Sequence, residues 1–307
     1  MLTKDELTKT NKIWCGMNKP DITEDEADVV IFGIPYDEAV SYRKGAAETP
    51  SVLRANTLHS TEVTEDGERL DILNIHDAGD FLEKDREQLF KQVEEYVCEL
   101  VKKEKFFTMI GGDHSVTIPV EAGIDKAVDE PFGIIHVDSH PDMCDELGGD
   151  KYSHGAVQRR ALELKNVVDS ESISFVGIRS LEIDEINYFA ENKCNVHNAK
   201  ECYKKGIEKV AEEVIEEMKR FKKVYLTVDI DSLDPAYAAG TGTLQIGGLS
   251  SREMLIFLEK IFEKLPIIAM DVVEVAPPLD STLNAMFAAR RIITECWGFN
   301  MKKNKKK

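Results

Sequence analysis

No apolar run in this 307-residue chain approaches the roughly 20 residues that cross a bilayer. The start, Met1 to Asn11, is polar and has no hydrophobic stretch of a secretory leader, so a cytoplasmic protein without a membrane partner is expected. Basic charge is scarce: 39 Lys and Arg face 57 Asp and Glu, for a net charge of −18. A nucleic-acid binder would show a basic face, so that class is excluded, whereas steering would favour a small cationic ligand. Close cysteine pairs are also missing. Cys15, Cys98, Cys144, Cys194, Cys202 and Cys296 form no CxxC, and scattered cysteines of this kind are expected to be reduced and packed. There is no low-complexity block, fixed-period repeat or long linker. One domain over residues 1–307 is the simplest reading, with a polar N-terminal segment over about 1–25 and a basic tail, Lys302–Lys307, read as a solvated end.

What is present is a regular alternation. Apolar runs bounded by polar turns occur at Val29–Gly33, Phe106–Ile110, Phe132–Val137, Ile173–Gly177, Val224–Val228 and Ile267–Met270, and read as buried strands. Between them lie helical stripes: Leu89, Val93, Val97 and Leu100 within Glu83 to Glu104; Ile207, Val210, Val214 and Met218; Met254, Leu258, Ile261 and Leu265. Repeated strand–helix–strand order predicts an α/β fold with a mainly parallel sheet and helices on both faces, whose ligands bind at the carboxyl ends of the strands.

Polar clusters follow four of those strands directly. They are Gly111-Gly112-Asp113-His114-Ser115, the run from His136 to Asp142, the run from Asp229 to Pro235 and Asp271-Val272-Val273-Glu274. If the strands continued, Asp138, His140 and Asp142 would share a face about 6–7 Å apart by the period-two rule, as would Asp229 and Asp231. His114 follows two glycines that permit close backbone approach. Four carboxylates and two neutral imidazoles carry about −4, which two divalent cations would neutralise. His114, Asp138, His140, Asp142, Asp229 and Asp231 are therefore the candidate metal ligands, with Asp138 and Asp229 as bridges. Ligation dominated by carboxylates and free of thiolate favours manganese(II), two ions per subunit. Such a pair can hold a bridging hydroxide that attacks an electrophilic carbon, and Asp142 could also accept a hydrogen bond from it. Glu274, in an apolar context, needs a partner, and a guanidinium suits it. Strand-end caps and solvated acids are the bland reading, and they do not account for six such residues at matched strand ends.

In order and spacing these residues resemble the ureohydrolase family of arginases and agmatinases, from about Val29 to about Gly298. The resemblance also includes Ser153-His154-Gly155, Asp229 to Pro235 and Gly240-Thr241-Gly242-Thr243. It implies a three-layer α/β/α arginase-like fold, two manganese ions, hydrolysis of a guanidino group to urea and an amine, and a homo-oligomer, trimer or hexamer. It implies one ion held by His114, Asp138, Asp142 and Asp229, and the other by Asp138, His140, Asp229 and Asp231. His154 then matches a substrate-binding proton shuttle, and Glu274 the acid that binds the guanidinium, which with Asp142 makes the catalytic set.

Within the family, Gly33 to Asp37 with Ser41 to Gly45 looks like the agmatinase branch, so agmatine, giving putrescine for polyamine biosynthesis, is the expected substrate. Guanidinobutyrate, another guanidino acid or formiminoglutamate would use the same chemistry. A catalytically silent metal-binding regulatory subunit is the alternative of another class. The chain departs from the family at Ser139 and Pro141, where alanine and threonine are usual, and at Leu244-Gln245, where agmatinases usually continue proline-glutamate. Asp113 and Asp234 read as turn-forming acids, Arg43 as structural, Cys144 as a cleft residue, and His59, His76 and His197 as outside the site.

Overall fold

The structure, a computed structural model, describes residues 10–305. Eight strands form one sheet: β1 (Val29–Gly33), β2 (Ile75–Asp80), β3 (Phe107–Ile110), β4 (Gly133–Val137), β5 (Ile173–Ile178), β6 (Asn195–Asn198), β7 (Val224–Asp229) and β8 (Ile267–Val273). The order is β2-β1-β3-β8-β7-β4-β5-β6, and every neighbouring pair is parallel. All six apolar runs become strands. The two strands that were not anticipated, β2 and β6, are the edges. Ile75–Asp80 reads Ile-His-Asp-Ala-Gly-Asp and Asn195–Asn198 reads Asn-Val-His-Asn, because an edge strand is flanked on one side only and tolerates polar residues.

Helices cover both faces, making the three layers. They are α1 (Thr49–Asn56), α2 (Arg86–Lys102), α3 (Thr117–Ala127), α4 (Val157–Ala161), α5 (Ile183–Glu191), α6 (Ala199–Lys205), α7 (Ile207–Met218), α8 (Ser251–Lys264) and α9 (Asn284–Lys305). Alternation along the strands divides the core in two. Val29, Ile31, Ile135, Val137 and Leu226 pack with α1, α6, α7, α8 and α9, while Val30, Phe32, Ile134 and Tyr225 pack with α2 and α3. Pro119 sits in the first turn of α3, where its missing N–H has no helical partner to lose.

The chain ends differ from expectation. Within the polar N-terminal segment, Ile13, Trp14 and Met17 are buried; the Trp14 indole donates to Asp77 Oδ2 at 2.7 Å and meets the Trp297 ring edge-on at 5.3 Å. Residues 1–9 lie outside the described residues. The tail continues as helix to Lys305, because the apolar stripe Ile293, Trp297 and Met301 anchors α9, and Lys302 pairs with Asp66, whereas Asn304 is exposed. Lys306 and Lys307 lie outside the described residues. The six cysteines are unpaired, and among the described residues no helix is long and apolar enough to cross a membrane.

Sheet order explains why the polar clusters meet. β3, β8, β7 and β4 are consecutive neighbours, so in a parallel sheet their carboxyl ends open onto one crevice.

Candidate metal centre and substrate cavity

The loop after β3 needs its glycines for space. A Cβ on Gly112 would lie 1.8 Å from the Tyr36 carbonyl oxygen, so the loop can cross the segment after β1 only with glycine there. Asp113 then ties the turn, accepting from Ser115 N at 3.0 Å and from Ala39 N at 2.9 Å. It is structural, as read. His114 emerges from this turn with its ring buried. Its Nε2 lies 2.8 Å from Thr227 Oγ1 on β7. With a proton on Nε2 donated there, Nδ1 presents a lone pair.

That Nδ1 faces Asp142 Oδ2 at 3.0 Å, Asp138 Oδ2 at 3.1 Å and Asp229 Oδ2 at 3.4 Å. A second group lies alongside, where His140 Nδ1 is 3.2 Å from Asp231 Oδ2 and 3.5 Å from Asp138 Oδ1. Asp138 thus turns one oxygen to each group, as a bridge requires. All six candidates come together, but not by strand alternation. β4 ends at Val137, and Asp142 adopts a left-handed φ of 52°. Asp229 is the last residue of β7, and Asp231 sits in the short 3-10 turn Ile230–Ser232. Tight turns, not the pleat, aim these side chains.

Charge and burial make the arrangement a cation site. Burial raises Asp229 far above the carboxylate range, helped by Asp231 and Asp138, and burial with Asp138 raises Asp142. Asp138 goes the other way, because the imidazoles of His136, His114 and His140 outweigh its burial. Burial opposes protonation of His140, yet Asp231 and Asp138 push it up to about 12. Two buried atoms that face each other, His114 Nδ1 and Asp138 Oδ2, have no hydrogen-bond partner. Orphaned polar atoms of this kind are costly unless a cation joins them. The donors therefore fit a divalent metal, and protons must compete with it for the same atoms.

Several residues of the site escaped the sequence reading. His136 Nε2 is 3.2 Å from Asp138 Oδ2, which invites its inclusion among the ligands. However, the same nitrogen lies 2.9 Å from the carbonyl oxygen of His140, which can only accept, so Nε2 carries a proton and is not a ligand. Its position two residues before Asp138 was the available signal. Thr243 Oγ1 donates to Asp231 Oδ2 at 3.2 Å, and Ser139 Oγ lies 2.9 Å from His140 Nδ1. Arg179 fastens the backbone below the site through Asp231 O at 2.6 Å and Gln245 O at 2.8 Å.

Glu274 follows β8 at a φ of 62°, strain that the surrounding contacts must hold. Its Oε1 accepts from His114 N at 3.0 Å and lies 2.9 Å from His154 Nδ1. In the neutral ring Ser41 N donates to His154 Nε2 at 3.0 Å and Nδ1–H points at Glu274; in the cation Nε2–H can donate to Ser41 Oγ, 2.9 Å away. Burial lowers the affinity of His154 for a proton, but Glu274, then Asp142 and Asp113, lift its pKa to about 9.

A cavity of about 370 Å³ adjoins these groups, lined by Asp142, Asp229, His140 and His154 together with Cys144, Leu181, Glu182, Glu185, Leu244 and Gln245. Arg43 lines it too, but its guanidinium is committed to Gly242 O at 3.1 Å and Thr241 O at 3.0 Å, a structural role through carbonyls rather than an acid. Burial and nearby Glu185 push the Cys144 thiol up to about 12, so it stays protonated. Asp234 accepts from Gly247 N at 2.8 Å and so pins the loop carrying Leu244 and Gln245. His76 lies on β2 and His197 pairs with Glu217, both away from the site. His59 closes the short 3-10 turn Thr57–His59.

A three-layer sheet with acids and histidines at its central strand ends defines a hydrolase-type metal centre, and known proteins place it further. The Arginase family model matches residues 27–298, and the chain belongs to that family. It is similar to an agmatinase of Bacillus subtilis, 34% identical over 277 residues, covering 88% of this chain and 91% of the relative. It is also similar to a guanidinobutyrase of Pseudomonas aeruginosa, 31% identical and covering 88% and 86% of the two chains. Among solved structures, the agmatine ureohydrolase of Thermoplasma volcanium superposes with a TM-score of 0.85 at 29% identity, covering 98% and 99% of the two chains.

Proposed function

We propose that this protein hydrolyses the guanidino group of agmatine to urea and putrescine, using two manganese(II) ions held by His114, Asp138, Asp142 and Asp229 and by Asp138, His140, Asp229 and Asp231. The observation that carries this reading is the conjunction of an unsatisfied cation site with a cavity lined by His154, whose Nδ1 is backed by the buried Glu274. When bound, a pair of divalent cations supplies hydroxide near neutral pH and offsets the buried negative charge. Glu274 binds the guanidinium as a charge-assisted acceptor in place of the His154 Nδ1–H. Asp142 both ligates and orients the attacking water through its carboxylate. As the bond from the guanidino carbon to the tail nitrogen breaks, His154 delivers a proton to that nitrogen, so the amine leaves neutral.

The cavity lining supports a cationic tail over an acidic one. Glu182 and Glu185 are among the lining residues, Glu185 pushed up to about 7 by burial, while Arg43 has turned its Nε and Nη2 to the Gly242 and Thr241 carbonyls. A tail carboxylate, as in guanidinobutyrate, would meet like charge there. The test compares kcat/KM for agmatine and guanidinobutyrate with the manganese-loaded protein. Agmatine is expected to win by at least about tenfold, roughly 1.4 kcal/mol of discrimination. Preference for the acid overturns the substrate reading, and urea from neither overturns the reaction.

A further inference from the structure

Beneath the metal centre lies a buried polar chain that the proposed reaction does not use. His136 on β4, Gln158 on α4 and Glu121 on α3 are all essentially inaccessible to solvent. Gln158 Nε2 lies 3.1 Å from Glu121 Oε1 and 3.2 Å from His136 Nδ1. The two amide hydrogens thus serve one acceptor each. Turning the amide over would set its oxygen against the imidazole lone pair, whereas the Glu121 carboxyl, pushed up to about 8 by burial, can face either end of the amide. The His140 carbonyl and the Gln158 Nε2–H together therefore fix the His136 tautomer with its proton on Nε2. That proton is aimed at the His140 carbonyl oxygen, 2.9 Å away. The His136 ring also stacks on His114, at 5.0 Å between centroids and 10° between planes.

Gln158 grips the same turn a second time. Its backbone N–H donates to the Asp142 carbonyl at 3.0 Å, and that of Arg159 does so at 3.3 Å. The turn from Asp138 to Asp142 supplies three of the candidate ligands and includes a residue at φ 52°. Arg179 N and Ser180 N hold its Ser139 carbonyl at 2.8 and 3.0 Å, and Gln158 takes part in the holds on the other two carbonyls, at His140 through His136 and at Asp142 directly.

Resting on the metal-dependent reading above, we infer that His136, oriented by Gln158, is a positioning residue that fixes the Asp138–Asp142 turn in its metal-binding conformation. It is a hydrogen-bond donor to the ligand turn, not a ligand. Partners behind metal ligands typically contribute about 10–100-fold to metal affinity.

The experiment is a titration of the full-length protein with manganese(II), following affinity and stoichiometry, alongside thermal melting of the metal-free protein. Gln158→Leu keeps the backbone N–H and removes the side-chain donor. It is expected to weaken manganese binding at least about tenfold. His136→Phe keeps a ring to stack on His114 but has no N–H, and is expected to weaken binding similarly. His136→Gln restores an N–H near the Nε2 position and is expected to recover most of the affinity. Wild-type affinity in both Gln158→Leu and His136→Phe overturns the inference. So does equal loss in His136→Phe and His136→Gln, which marks a role in packing alone. Each of these outcomes leaves the hydrolase reading standing. A wild-type protein that takes up no manganese overturns both.

Discussion

Replacing Glu274 with glutamine removes one buried charge behind His154 while keeping the side chain's length and the backbone at φ 62°. The carboxylate now accepts from His114 N and faces His154 Nδ1. The glutamine oxygen can keep the first contact, which turns its NH2 toward His154. Two donors then oppose each other unless the ring takes the other tautomer, which gives up the Ser41 N–H bond at Nε2. One of these bonds is therefore lost whichever tautomer forms. The rise of the His154 pKa from 6.5 to about 9 corresponds to about 3 kcal/mol at roughly 1.36 kcal/mol per pH unit. Without Glu274, burial remains as the leading influence, so the His154 pKa should fall to its free value or below. Loss of the guanidinium's acceptor should cost about 2–5 kcal/mol in kcat/KM, at least about 30-fold. The assay is urea release over a range of agmatine concentrations, joined to NMR titration of the His154 ring. Retention of kcat/KM within about threefold, or an unchanged His154 titration, refutes this account of the cavity.

Asp229→Ala should take manganese content from two ions per chain to less than one, because the proposed assignment makes Asp229 a donor to both ions; two retained ions would disprove that assignment. Activity should rise above neutral pH as protons compete less with the metal, and should fall as pH passes about 9, where His154 loses the proton it delivers; a flat profile from acid to alkali counts against this. The stabilising His154–Glu274 pair follows the same proton: a pKa raised from 6.5 to about 9 gives a contribution complete below 6.5 and lost as pH climbs through 9, measurable as a falling melting temperature in the metal-free protein. Away from the site, Arg54 is 1% exposed and holds Asp77 through two bonds of 2.7 and 2.8 Å. Arg54→Ala leaves that carboxylate buried without its cation and should cost about 3–5 kcal/mol in denaturant unfolding, and a loss under about 1 kcal/mol would contradict it.

The six candidate ligands were legible in the sequence because acids and histidines directly follow apolar strands, and the sheet order brings those strand ends together. Strand alternation alone does not bring them together. Alternation stops with the strand at Val137, and turns that period-two counting does not describe place Asp142 and Asp231. His136 was missed although it stands on β4 two residues from Asp138, since an imidazole's role depends on which nitrogen carries the proton, and that is set by the His140 carbonyl and by Gln158 from a distant helix. The edge strands escaped because they are polar, and α9 because its stripe, Ala289, Ile292, Ile293, Cys296 and Trp297, was not read as a helix. The occupation of Arg43 by carbonyls and the glutamates lining the cavity are tertiary facts that no local pattern carries.

The central claim is metal-dependent hydrolysis of a guanidino compound, and urea release from agmatine tests it most directly. Protein stripped with a chelator should yield no urea, and the same protein given two equivalents of manganese should yield urea and putrescine in equal amounts. Equal urea from stripped and loaded protein, or none from agmatine or any other guanidino compound at any pH from neutral to alkaline, would contradict the account.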